Sequence, residues 1–96
     1  MYGLIGKMIA QPGRRDDLLV ILEAQVGPMP GCLSYVIAKD PQDANALWIT
    51  EVWEDTASHQ ASLSLPQVKA AIHQAMPLIA SVDHRVETEP VKGIGL

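Results

Sequence analysis

The side chains best suited to chemistry in this chain are three histidines, His59, His73 and His84, a single cysteine, Cys32, and two tryptophans, Trp48 and Trp53. A neutral imidazole is a competent base near neutral pH. His59 and His73 lie fourteen residues apart on successive helical stretches, and His73 falls at the edge of an apolar stripe set by Val68, Ile72 and Ala75. Each is either a surface histidine or a base facing a pocket. Alternation along a strand puts Trp53 on the same face as Glu51, Ile49 and Leu47. Trp53 and Ile49 are therefore either core or the wall of a site for a flat, apolar molecule. Phenylalanine is absent, so Trp48, Trp53, Tyr2 and Tyr35 are the whole aromatic set. Glu51 reads first as a contact between two copies of the chain, with a buried, hydrogen-bonded carboxylate as the other choice. His84 shares parity with Val82 and Val86 and reads as a satisfied sheet or interface histidine.

Other chemistries lack their residues. No histidine pair has metal-ligand spacing with a carboxylate, so no metal site is expected. No glycine-rich loop joins a strand to a helix, which leaves nucleotide phosphates without a cradle. One cysteine rules out an internal disulfide, and Cys32, just after Pro30-Gly31 with no basic neighbour, reads as a small buried hydrophobe. Neither a serine elbow nor a Cys-His pair in a recognisable context is present.

Ninety-six residues suffice for one domain spanning 1–96, with one modest core. With 48% hydrophobic and 19% charged residues the chain should fold. The net charge of −4 comes from scattered acids, and the seven Lys and Arg form no run that could track phosphates, so nucleic acid is not an expected partner. No stretch approaches a membrane span or a cleavable leader, and a cytoplasmic location is expected.

Tyr2 to Ala10 reads as a strand closed by Gln11-Pro12-Gly13. A helix follows, with Asp16 and Asp17 in its first turn and Leu18, Leu19, Leu22 and Val26 as its stripe, ended by Gly27-Pro28. Cys32–Lys39 and Ala46–Glu54 read as a hairpin across a polar turn. Asp55 caps a short helix to about Leu63, and Pro66 opens another whose Val68, Ala71, Ile72, Ala75 and Ile79 share a face, with Pro77 ending or kinking it. Val82 to Glu89 alternates as a last strand. The order is βαββαβ, a ferredoxin-like α+β fold with a four-stranded antiparallel sheet and helices on one face. Strands one to three are apolar on both parities, so something must cover the second face. A homodimer pressing sheet on sheet is the economical answer.

Pro30-Gly31-Cys32-Leu33-Ser34-Tyr35, then Asp40-Pro41, then Glu51-Val52-Trp53-Glu54-Asp55 occur in the order and spacing of the antibiotic biosynthesis monooxygenase domain, which the chain resembles over nearly its whole length. The resemblance implies a dimeric α+β barrel with a pocket between sheet and helices. Members of that family oxidise polycyclic aromatic intermediates or hydroquinones with O2 and neither metal nor flavin, while one branch degrades haem.

The histidines that many members carry nine residues after the strand-three tryptophan and five residues further on are here Ser62 and Gln67. The haem branch's asparagine, tryptophan and ligand histidine would fall at Gly6, Ser62 and Ile72, which disfavours haem. In polyketide-oxidising members the tryptophan lies in the pocket, with a tyrosine about six residues on and a basic residue about twenty on. Trp53, His59 and His73 occupy those places. The expectation is a cofactor-independent monooxygenase acting on a small aromatic substrate with O2, with His59 or His73 as base and Trp53 and Ile49 as wall. The alternative is a non-catalytic small-molecule-binding or dimerisation module of the same fold.

Overall fold

Strand periodicity and helical stripes are each satisfied by burying one face of every element against a shared layer. The computed structural model describes residues 1–96. Its elements are β1 (Tyr2–Ala10), α1 (Arg15–Glu23), β2 (Cys32–Lys39), β3 (Ala46–Trp53), α2 (Thr56–Ser62), α3 (Pro66–Ala75), a short 3₁₀ turn (Met76–Leu78) and β4 (Ile79–Thr88). The sheet has four antiparallel strands in the order β2-β3-β1-β4. This is the ferredoxin-like arrangement that the alternation of elements implied.

Several boundaries differ from the sequence reading, among them the end of the last strand, which stops at Thr88. α1 stops at Glu23, so Val26 lies beyond it and is exposed. β3 ends at Trp53, one residue early. Ile79 opens β4 instead of continuing the α3 face, because Pro77 sits in the 3₁₀ turn and the chain turns directly into the sheet.

Register sets which side chains meet. Tyr2 lies opposite Trp53, Leu4 opposite Glu51, Gly6 opposite Ile49 and Met8 opposite Leu47. On the other side of β3, Tyr35 lies opposite Glu51 and Ile37 opposite Ile49. All of these share the face that carries the helices. The core on that face falls into two packets. One comprises Ala10, Leu18, Leu19, Leu47, Ile49, Ala75 and Leu78, and the other Tyr2, Leu4 and Trp53. The gap between them lies where the helical side chain stays small, at Ala71 of α3, which belongs to neither packet.

The opposite face carries Ile5, Lys7 and Ile9 of β1, Trp48, Thr50 and Val52 of β3, Val36 and Ala38 of β2, and His84 and Val86 of β4. No helix covers it, and Val36 is 53% exposed and Val86 49%. Its polar contacts gather at one corner, where Trp48 Nε1 donates to Asp40 Oδ2 at 2.9 Å and Lys7 Nζ stands 3.9 Å from the same oxygen. His84 is exposed here, its ring 5.9 Å from that of Trp48.

Leu18 and Leu47 are fully buried, whereas Val20 on the same helix as Leu18 is 68% exposed. Leu18→Ala and Leu47→Ala should each cost about 2–5 kcal/mol in urea denaturation, while Val20→Ala should stay within about 0.5 kcal/mol of the parent.

Candidate functional site

The gap between the two core packets is a cavity of about 340 Å3 lined mostly by hydrophobic side chains. Its floor is the sheet, with Met8, Tyr35, Ile49, Glu51, Trp53 and Val82, and its roof is α2 and α3, with His59, Ser62, Val68 and Ala71 among the contributors. The volume suits a small, flat organic molecule. Leu63, Ile72, Met76 and Val82 line it and are also 44–64% exposed, which marks its mouth. A wider cleft of about 700 Å3 runs between the β1 start and the β4 end, but Glu54, Asp55, Glu87 and Glu89 line it. Those solvated carboxylates offer an aromatic ring little desolvation.

Sequence-local features aim the catalytic-type residues into the cavity. Asp55 caps α2, its Oδ1 accepting from Ser58 N at 2.7 Å. Its carboxyl is held below the usual range by that Ser58 contact. With the helix start fixed, His59 and Ser62, three residues apart, both point inward and are buried. Gly31 secures the other side. Its φ is +80°, and a Cβ there would meet the Ser58 side chain at 2.5 Å, so only glycine lets the β2 approach pack against α2.

His59 is 7% exposed. Its ring packs 5.3 Å from Tyr2 and edge-on to Trp53 at 5.5 Å. Its Nε2 stands 3.9 Å from Glu51 Oε1, and the same oxygen accepts a hydrogen bond from Trp53 Nε1 at 3.1 Å. Trp53, Glu51 and His59 thus form one polar corner in an apolar cavity. Ile49 lies two residues along β3 on the same wall, as its parity implied. Of the two candidate bases, the fold brings His59 to this corner and leaves His73 exposed on α3, outside the cavity wall.

Glu51 corrects the reading of it as a contact between copies. It faces the helices, away from the uncovered sheet face, and its side chain is 12% exposed. Burial pushes its carboxyl above the usual range, opposed by the Trp53 hydrogen bond and the nearby His59 and Arg85. Burial, with Glu51 and Cys32 adding to it, also pushes the Tyr35 hydroxyl up to about 12, so it stays a neutral donor. Cys32 is half-buried, not the fully buried hydrophobe that the sequence implied. Burial and Glu51 push its thiol up, and its Sγ–H reaches only the Ser34 carbonyl at 3.7 Å, which makes it a poor nucleophile. No three His, Cys, Asp or Glu side chains converge to hold a metal ion.

Ser62 and Tyr35 line the cavity, a role that the sequence reading gave to neither. Ser62 Oγ donates to the His59 carbonyl at 2.6 Å, at the rim of α2 that faces the cavity. Tyr35 was findable from strand parity, but only the register places it opposite Glu51.

A carboxyl whose folded pKa is raised stabilises the fold only while protonated, so its ionised form costs stability at higher pH. Glu51→Gln keeps an acceptor for Trp53 and removes the charge. At pH 7.5 it should therefore raise the melting temperature by a few degrees, and the difference should shrink toward zero as pH falls through the carboxylate range to about 4.

The family model described as "Antibiotic biosynthesis monooxygenase" matches residues 1–74. A crystal structure from Chloroflexus aurantiacus J-10-fl, named after the same family, is 60% identical, with a TM-score of 0.93, over 96% of this chain and 94% of that one. A Deinococcus radiodurans structure named after it is 24% identical, with a TM-score of 0.78, over 98% and 96% of the two chains. A Pseudomonas aeruginosa protein shares the fold at 23% identity and a TM-score of 0.84, over 95% and 94%. No curated protein matches the chain. The fold, the 60% identical relative and the match over most of the sequence agree: this chain belongs to the antibiotic biosynthesis monooxygenase family.

Proposed function

We propose that the protein is a cofactor-independent monooxygenase for a small aromatic substrate of the hydroquinone, anthrone or polyketide type, with His59 as its base. The observation that carries this reading is a buried imidazole beside Trp53 in the wall of an otherwise apolar cavity. Uncatalysed reaction of such a substrate with O2 is slow until the substrate is an electron-rich anion. His59 breaks the O–H bond by taking the proton of the phenol, or of the enol form of an anthrone. Trp53 and Ile49 hold the ring and exclude water, so position, desolvation and a base do what a cofactor does elsewhere. For an anthrone the balance is complete with O2 alone, since the ring CH2 becomes C=O and the second oxygen atom leaves as water with the two hydrogens.

The uncovered sheet face supports a second part of the proposal, a homodimer packed sheet on sheet. Val36, Val86 and the half-buried Ile5, Trp48 and Val52 form an apolar surface of the kind that monomers seldom leave in water. Sedimentation at micromolar concentration should give twice the 10.4 kDa chain mass, and a stable monomer would remove this part. A binding-only module is the competing reading, favoured by Ser62 at the usual histidine position.

The chelator-treated, flavin-free protein should consume O2 with an anthrone or hydroquinone. His59→Ala should lower turnover by about 10²- to 10⁴-fold, the usual range for general base catalysis. His73→Ala should leave it near the parent rate, and Trp53→Phe should chiefly raise KM. Parent-level turnover in His59→Ala, or dependence on added flavin or iron, would overturn the mechanism.

A further inference from the structure

We infer that Glu51 sets the specificity of the cavity, selecting neutral aromatic molecules that carry a hydroxyl donor and rejecting aromatic carboxylates. This rests on the cavity being a ligand site, but not on the ligand being oxidised.

Among the lining residues Glu51 is the only carboxylate, and none is Lys or Arg. Arg85, two residues before Glu87 on β4, bears on Glu51 electrostatically without lining the cavity. An anionic ligand would therefore lose its hydration beside a fixed anion with no cation in the wall to compensate. A neutral hydroxyl meets the opposite situation. Trp53 fixes Oε1 at 3.1 Å, and that oxygen and His59 Nε2 stand 3.9 Å apart. The separation is too long for a hydrogen bond between them, yet one hydroxyl oxygen can sit about 2.8 Å from both. Placed there it donates its one proton to Glu51 Oε1 and accepts from the His59 Nε2–H. Hydrogen bonds to ionised acceptors are roughly twice as strong as neutral ones, so the charge on Glu51 makes the donor preference steep. Trp53 is at once the face against which a ring stacks and the clamp on the oxygen that reads its hydroxyl. That links ring position to hydroxyl position through one side chain.

The test is binding, followed under nitrogen by intrinsic tryptophan fluorescence at pH 7.5, with 2-naphthol, 2-methoxynaphthalene and 2-naphthoate. The parent should bind 2-naphthol at least about tenfold more tightly than either of the others. Glu51→Gln, which keeps the shape and the Trp53 hydrogen bond, should bind 2-naphthoate about tenfold better than the parent does, and should narrow the gap between 2-naphthol and its methyl ether. Equal affinities of the parent for all three probes, unchanged discrimination in Glu51→Gln, or no binding of any probe at millimolar concentration would each overturn the inference. Selective binding without O2 consumption would uphold it while removing the monooxygenase reading.

Discussion

The hydrogen bond from Trp53 Nε1 to Glu51 Oε1 is the constraint around which the site is organised. A carboxylate beneath two helices is costly unless something satisfies it. Two residues apart on one strand, Trp53 and Glu51 face the same way by the pleat alone, so the acceptor and its donor need no tertiary accident to meet. What tertiary structure adds is His59, brought by α2 to within 3.9 Å of the same oxygen. The desolvation that raises the Glu51 carboxyl is also what makes the corner useful, because polar groups act more strongly on a ligand where water is excluded.

The cavity exists because the core is interrupted. Leu18, Leu47, Ile49 and Ala75 close one packet and Tyr2, Leu4 and Trp53 the other, while the small side chain of Ala71 leaves the space between them unfilled. A larger residue at Ala71 would join the packets into a continuous core. The same sheet that forms the floor has its reverse face bare, so both the candidate site and the candidate interface depend on the register of β1 against β3. A slip of one residue would exchange the two faces.

Much of this was legible in the sequence. Element order, the antiparallel sheet, the Asp55 cap and the common face of Ile49, Glu51 and Trp53 all follow from local patterns. The motifs Pro30–Tyr35, Asp40-Pro41 and Glu51–Asp55, in their order and spacing, pointed to the family whose model matches residues 1–74. The role of Glu51 was misread because strand parity gives a common face without saying which face the helices cover. The separation of His59 from His73 was likewise invisible, since it depends on the angle at which α3 leaves the Ser62–Pro66 turn. Ile79 was assigned to a helix because its spacing continued the α3 stripe, and only Pro77 ending that helix made it the first residue of β4.

The two tryptophans offer the most direct measurement. Each indole N–H donates to a carboxylate, Trp53 to Glu51 inside the cavity and Trp48 to Asp40 on the uncovered face. In a 1H–15N correlation spectrum they give two resolved indole signals, assigned through Trp48→Phe. Titration with 2-naphthol under nitrogen should shift the Trp53 signal and saturate, leaving that of Trp48 in place. A shift confined to Trp48, or no shift of Trp53 at saturating probe, would contradict the assignment of the cavity as the ligand site.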